Sequence, residues 1–301
     1  MHGFLTFGAE AARARETGTP LVALETTILS HGMPYPQNVQ TAVEVEAIVR
    51  EEGCVPATIA VSGGRIHVGL SRDQLERYGT AKDVLKLSRA DLPYAIASGK
   101  DGATTVAATM LCAHLAGISM FATGGIGGVH RGAEQTMDVS ADVQELARTP
   151  VAVVCAGAKA LLDLPKTLEV LETLGVPVIA YGTDEFPAFW SRSSGLRAPL
   201  RFDTPDDIAN FLRVKRELKI DSGTLVATPV PQADEIPAET MRGYIETAVN
   251  EAANARISGK AVTPWLLDRI LQLSAGRSLE TNVALVKNNA RLAARIARSG
   301  L

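Results

Sequence analysis

Val151-Ala-Val-Val-Cys-Ala-Gly-Ala-Lys159, continued by Ala160-Leu-Leu-Asp-Leu-Pro-Lys-Thr-Leu-Glu-Val-Leu-Glu-Thr-Leu-Gly175 and Val176-Pro-Val-Ile-Ala-Tyr181, decides the fold. Val151–Val154 and Val176–Tyr181 are short β-branched runs, the signature of buried strands. Between them Ala158–Leu174 carries the helical period, and Gly175 closes it. Strand, helix, strand at this length is a βαβ unit, which joins parallel strands through a crossover. An α/β protein with a largely parallel sheet covered by helices follows.

The same alternation extends both ways along the chain. Leu21–Leu24, Ala57–Val61, Ile66–Val68, Tyr94–Ala97, Met120–Ala122 and Gly223–Ala227 are further candidate strands. Asn38 is placed to cap a helix with Val39, Ala42, Val43 and Ala47 on one face, ending near Gly53. Thr104–Ala116 is an Ala-rich helical stretch with Gly117 as its stop. Leu279, Val283, Val286 and Ala290 form the apolar stripe of a last helix, beside which Asn282 is an ordinary boundary residue. Phe186–Leu200 is the longest irregular segment, either a flexible substrate lid or a long connection. No interdomain linker interrupts the chain, so one domain over residues 1–301 is expected.

At 301 residues, 46% hydrophobic and with net charge -3, the chain can bury a large core and shows no basic run for nucleic acid. Cys54, Cys112 and Cys155 are scattered in apolar surroundings, which reads as buried thiols in a reducing compartment. The N-terminus is too short and too weakly apolar for a signal peptide, and no window has the apolar length of a membrane span. A soluble cytoplasmic protein without membrane or nucleic-acid partners is the expectation.

Phe121-Ala-Thr-Gly-Gly-Ile-Gly-Gly-Val-His-Arg-Gly132 carries most of the chemical information. Gly124, Gly125, Gly127 and Gly128 permit positive φ, and successive N–H groups in such a loop make an anion site. His130 and Arg131 add donors suited to phosphate. The spacing matches neither of the common nucleotide motifs, and a tight turn is the plainer alternative. Asp138 and Asp142 offer hard oxygens that suit magnesium or manganese, or are simply solvated. Lys159, after a strand and at the start of a helix, lies at the carboxyl end of the sheet, where open α/β folds bind ligands. Small apolar neighbours would desolvate it, lower its pKa and fit it to form an imine; a lysine reaching from a helix end into water is the commoner case. Glu25 ends another apolar run, either at the site, where burial raises its pKa for acid–base work, or capping a turn. His31 is a weaker candidate.

Taken together, these segments closely resemble the pseudouridine-5′-phosphate glycosidases, the family also described as indigoidine synthase A-like. The matching blocks are Leu24-Glu-Thr-Thr-Ile-Leu-Ser-His-Gly-Met-Pro-Tyr-Pro-Gln-Asn38, Gly102-Ala-Thr-Thr-Val-Ala-Ala-Thr-Met110, the Phe121–Ala133 loop, Asp138-Val-Ser-Ala-Asp-Val-Gln-Glu-Leu146, Val154-Cys-Ala-Gly-Ala-Lys159 and Glu280-Thr-Asn-Val-Ala-Leu-Val-Lys-Asn-Asn-Ala290. They cover nearly the whole chain in order.

The resemblance implies an α/β/α sandwich around a large mixed, mostly parallel sheet, assembled as a homotrimer. It also implies reversible cleavage of the C–C glycosidic bond of pseudouridine 5′-phosphate to uracil and ribose 5-phosphate. Lys159 matches the family's covalent nucleophile, Glu25 its proton donor and acceptor, and Asp138 the ligand of Mn2+, with Mg2+ as a substitute. Substrate positions carried over are Lys86, Val106, Thr123, His130, the segment Ser140, Ala141 and Asp142, and Asn282. Two other readings share these residues: a different lysine-dependent sugar-phosphate lyase, and a non-catalytic sugar-phosphate or nucleotide sensor.

Overall fold

The computed structural model describes residues 3–257 and 262–300. In chain order its strands are β1 Leu5–Phe7, β2 Leu21–Leu24, β3 Val55–Ser62, β4 Arg65–Val68, β5 Leu85–Leu87, β6 Gly102–Thr104, β7 Met120–Ala122, β8 Ala152–Cys155, β9 Val178–Tyr181, β10 Leu200–Phe202 and β11 Thr224–Ala227. They form one mixed sheet in the order β1-β4-β3-β2-β7-β8-β11-β9-β10, with β6 also on β3 and β5 on β6. From β3 through β2, β7, β8, β11 and β9 to β10 every pairing is parallel. Only β3 with β4 and β3 with β6 pair antiparallel.

All residues of β8 and β11 are buried, as expected of parallel strands with both faces covered. The sheet is therefore the mixed, mostly parallel one expected, with helices around it. β8, the helix Leu164–Thr173 and β9 make the βαβ unit, although β11 lies between its two strands. Gly175 closes that helix with φ 69°.

Four readings of local structure need correction. Tyr94–Ala97 is not a strand but part of the helix Leu92–Ala97; Pro93 stands in its first turn, where a missing N–H costs nothing. The helix after β8 starts at Leu164, capped by Asp163, so Lys159 is not at a helix start. It lies in an irregular stretch pinned to the glycine loop by the bridge between Ile126 and Ala158. Asn38 does not cap a helix; it is buried within Gln37–Glu51 and donates to the carbonyls of Leu29 and Gly79 at 2.7 and 2.8 Å. The last helix, Arg277–Arg298, buries Asn282, Leu285, Val286, Asn289, Ala290 and Ala293, whereas Leu279 and Val283 are only half-buried. Two asparagines thus sit on its inner face, which packs across β2, β7 and β8.

The Phe186–Leu200 connection is built as a wedge rather than a lid. Phe186, Phe189 and Trp190 are fully buried. The Phe189 and Trp190 rings meet edge to face at 4.8 Å, and Trp190 Nε1 donates to the Ser278 carbonyl at 3.0 Å. Burying three aromatics is favourable enough to hold a segment that has little regular structure.

Candidate active site

Three adjacent parallel strands, β2, β7 and β8, each deliver a residue to one place. Glu25 follows β2, Thr123 follows β7, and the chain leaving β8 reaches Lys159 four residues later. The ends of β2 and β6 are laced together by threonines: Thr26 and Thr104 hydroxyls both donate to the Ile59 carbonyl at 2.8 Å. The Thr104 N–H donates to the Thr26 hydroxyl at 2.9 Å. That buried network fixes Glu25 relative to the helix Val106–Leu115 that β6 feeds.

A cavity of 360 Å³ opens above these strand ends. Glu25, Lys86, Val106, Thr123, His130, Asp138, Ser140, Ala141, Asp142, Lys159 and Asn282 all line it, so the positions implied by the family resemblance come to one cavity. Arg131, the other phosphate-donor candidate, is exposed and does not line it, nor does Gly128. His31 lines it too. The size suits a small, largely enclosed ligand.

Burial pushes the Glu25 carboxyl above the ordinary carboxylate range, against the opposing pull of Lys159 and of the hydrogen bond donated by Thr123. Burial lowers the His130 pKa, with Lys159 and Lys86 adding to that effect and Asp138 opposing it. Burial and Lys86 likewise lower that of His31, whose Nδ1 lies 2.7 Å from the Ser30 hydroxyl. A cavity holding two lysines therefore keeps its histidines as neutral donors.

The glycine loop works differently from the expectation. None of Gly124, Gly125, Gly127 and Gly128 has positive φ. They are needed for space: a Cβ at Gly125 would stand 2.6 Å from the Phe189 ring, and one at Gly127 would collide with Ser140. Nor are the loop's successive N–H groups all free for an anion. Those of Thr123, Ile126, Gly127, Val129 and His130 donate within the protein, to Val154 O, Gly157 O, Asp142 Oδ2, Thr167 Oγ1 and Asp138 O. The close packing holds the loop against its neighbours and engages five of the eight amides from Thr123 to His130.

Asp142 is likewise committed to the scaffold. Its two oxygens accept from Gly127 N at 2.8 Å and Ala107 N at 2.9 Å, joining the loop to the first turn of the helix Val106–Leu115. It is buried, with each oxygen already accepting a backbone N–H. Asp138 is different: its side chain is 41% exposed at the rim, with Oδ2 4.0 Å from His130 Nδ1. Among the described residues no three His, Cys, Asp or Glu side chains cluster to hold a metal ion. The donor set at Asp138 fits only a cation that keeps most of its waters, as hard divalent ions do.

The model of the family described as indigoidine synthase A like protein matches residues 10–299. The chain belongs to that family. It is 65% identical over 293 residues to the pseudouridine-5′-phosphate glycosidase of Solibacter usitatus, covering 97% of this chain and 98% of that one. It is 64% identical over 296 residues to the enzyme of the same name from Methylobacterium nodulans, covering 98% and 88%. Among solved structures it resembles the prealnumycin C-glycosynthase AlnA in complex with ribulose 5-phosphate, with TM-score 0.92, 34% identity and coverage of 99% and 97%. An indigoidine synthase A-like protein from Thermotoga maritima superposes with TM-score 0.89 at 34% identity, covering 99% and 96%.

Within this family fold the cavity also has walls that sequence reasoning missed. Thr27, Ser88, Thr105, Phe189, Pro264 and Leu267 line it. Phe189 was hidden in an irregular segment, and a threonine beside an acid carries no signal of its own. Cys155 lies at the end of β8 near Lys159, yet burial pushes its thiol up to about 12, so it stays protonated and is no rival nucleophile. Cys54 and Cys112 are also buried and free. Among the described residues no helix is long and apolar enough to cross a membrane.

Proposed function

We propose that this protein cleaves the C–C glycosidic bond of pseudouridine 5′-phosphate, reversibly giving uracil and ribose 5-phosphate, in pseudouridine catabolism. The observation that carries the reading is Glu25 and Lys159 meeting in one cavity from beyond the ends of β2 and β8, on either side of β7, in a chain 65% identical to an enzyme of that name.

Carbon is a poor leaving group, so a carboxylate pair of the usual glycosidase kind does not expel it. Lys159 supplies the alternative. Its amine bonds to C1′ as the ribose ring opens, and Glu25, whose protonated form burial favours, gives its proton to the ring oxygen. The C1′–C5 bond then breaks: its electron pair stays with C5 of the base, which takes up a proton, and the lone pair of the Lys159 nitrogen forms the C1′=N imine. Water hydrolyses the imine, freeing ribose 5-phosphate and the lysine. Lys86, Thr123, His130, Asn282 and the backbone at Val106 and Ser140–Asp142 would hold the substrate.

A divalent cation, Mn2+ with Mg2+ as a substitute, would be held by Asp138 and waters and would supply charge neutralisation. Chelation should abolish most activity, added manganese should restore it, and Asp138→Asn should weaken the restoration. Full activity in protein shown by elemental analysis to be metal-free would refute this part. We extend the reading to a homotrimer of single-domain chains acting in the cytoplasm, as the family resemblance implies; light scattering tests the trimer.

The direct test incubates enzyme, ribose 5-phosphate and uracil and looks by mass for pseudouridine 5′-phosphate. Borohydride in the presence of ribose 5-phosphate should trap the sugar on Lys159. Trapping without uracil-dependent product would indicate a different lyase. Neither trapping nor product would leave a sensor.

A further inference from the structure

Among the described residues four buried side-chain polar atoms have no hydrogen-bond partner: Thr27 Oγ1, Thr224 Oγ1, Asn282 Oδ1 and Asn289 Oδ1. A buried polar group without a partner is costly, and native proteins keep few of them. Two of these four, on Thr27 and Asn282, belong to residues lining the same cavity.

The Thr27 hydroxyl has every local opportunity to be satisfied and is not. It stands at the start of the turn Ile28–Gly32, yet makes no capping hydrogen bond there. Its neighbour Thr26 donates to the Ile59 carbonyl and accepts from the Thr104 N–H. Ser30, in the same turn, donates to the Thr26 carbonyl at 3.1 Å. Identical chemistry one residue away is thus fully engaged in the scaffold, while Thr27 lines the cavity unpaired. Irregular helical turns of this five-residue π type are frequent at functional sites, where they place one side chain out of sequence with its neighbours.

Resting on the functional reading above, we propose that Thr27 is a substrate-binding residue whose hydroxyl completes its hydrogen bonding on the bound nucleotide. Its partner is a hydroxyl or carbonyl oxygen, on the sugar or on the base. This residue lies two positions from Glu25, so the contact orients the reacting end rather than the scaffold.

The test uses Thr27→Val, which keeps the branched shape, and Thr27→Ser, which keeps the hydroxyl. An orphaned hydroxyl contributes nothing to the free protein, so Thr27→Val should melt at or above the wild-type temperature. The same variant should lose roughly tenfold or more in kcat/KM, the scale of one hydrogen bond made to a buried group, with Thr27→Ser retaining most of it. Calorimetry with ribose 5-phosphate and with uracil separately shows which half of the substrate carries the loss. A fall in melting temperature for Thr27→Val would give the hydroxyl a structural partner and overturn the proposal. Unchanged binding and turnover would overturn it equally. A wild-type protein that binds neither compound would sink the functional reading itself, and this inference with it.

Discussion

Lys159 and Glu25 divide the chemistry at the scale of single residues, and each makes its own prediction. Lys159→Ala should lower turnover by about a thousandfold or more, because the covalent step is lost while little core is removed. Lys159→Arg should be equally inactive, since a guanidinium forms no imine. Near-normal turnover in the arginine variant would sink the covalent route. Glu25 makes a pH prediction whose sign follows from burial. A carboxyl raised above its ordinary value stays protonated over a window just above that value, and loses the proton as pH passes its raised pKa. If its acid form starts ring opening, kcat/KM should fall across that raised pKa as pH increases. Glu25→Gln should abolish that limb along with most activity. A Gln variant with the wild-type profile would assign the limb to another group.

One half-buried ion pair joins elements that each bring part of the site. Arg89, three residues beyond Lys86, donates to both oxygens of Glu145 at 2.6 and 2.7 Å. Glu145 belongs to the helix Ala141–Leu146, which also carries Asp142, and its side chain is only 2% exposed. Arg89→Met would leave that carboxylate without its cation, and because the Arg89 side chain is 41% exposed the cost in chemical denaturation should be about 1–2 kcal/mol. Pairing it with Glu145→Met should recover most of the loss; an equally unstable double variant would show that the charge is not the cause. Elements of this kind were only partly legible in the sequence. The long parallel strands read clearly because burial on both faces makes them continuous apolar runs. β1, β5, β6 and β10 were missed: each is three residues long and, unlike the equally short β7, none is a continuous apolar run. Lys159 was assigned to a helix because Ala158–Leu162 continues an apolar rhythm. Its backbone actually bonds across to the glycine loop, Lys159 N–H to the Ile126 carbonyl at 3.1 Å. Most of the expected residues that line the cavity fall in the family blocks, but Lys86 lies outside all of them. Roles as packers were not legible: Gly127 and Asp142 are needed by each other across fifteen positions.

At the scale of the whole molecule, the cavity gathers more cationic and donor groups than the bond being broken requires. Lys86 comes from the antiparallel wing of the sheet, His130 from the glycine loop and Val106 from the first turn of a ten-residue helix. Helix N-termini and lysines are the usual partners of phosphate. If these groups hold the 5′-phosphate, its binding energy is available to orient the reacting end. Enzymes that use remote binding in this way lose rate as well as affinity when the remote group is removed. Unphosphorylated pseudouridine should therefore be a poorer substrate by roughly two or more orders of magnitude, taking ~1.5–3 kcal/mol for each lost charge-assisted bond. Uridine 5′-phosphate should fail for a separate reason, since its sugar leaves from nitrogen and its base presents a different edge to the cavity. Catalytic efficiency on the three compounds under one metal condition decides the matter. Because most of the glycine-loop amides are already engaged, Lys86→Ala should erase much of the preference for the phosphorylated nucleotide. If efficiency on pseudouridine matches that on its phosphate, these donors serve the scaffold, and the site must hold its substrate by the ribose and base alone.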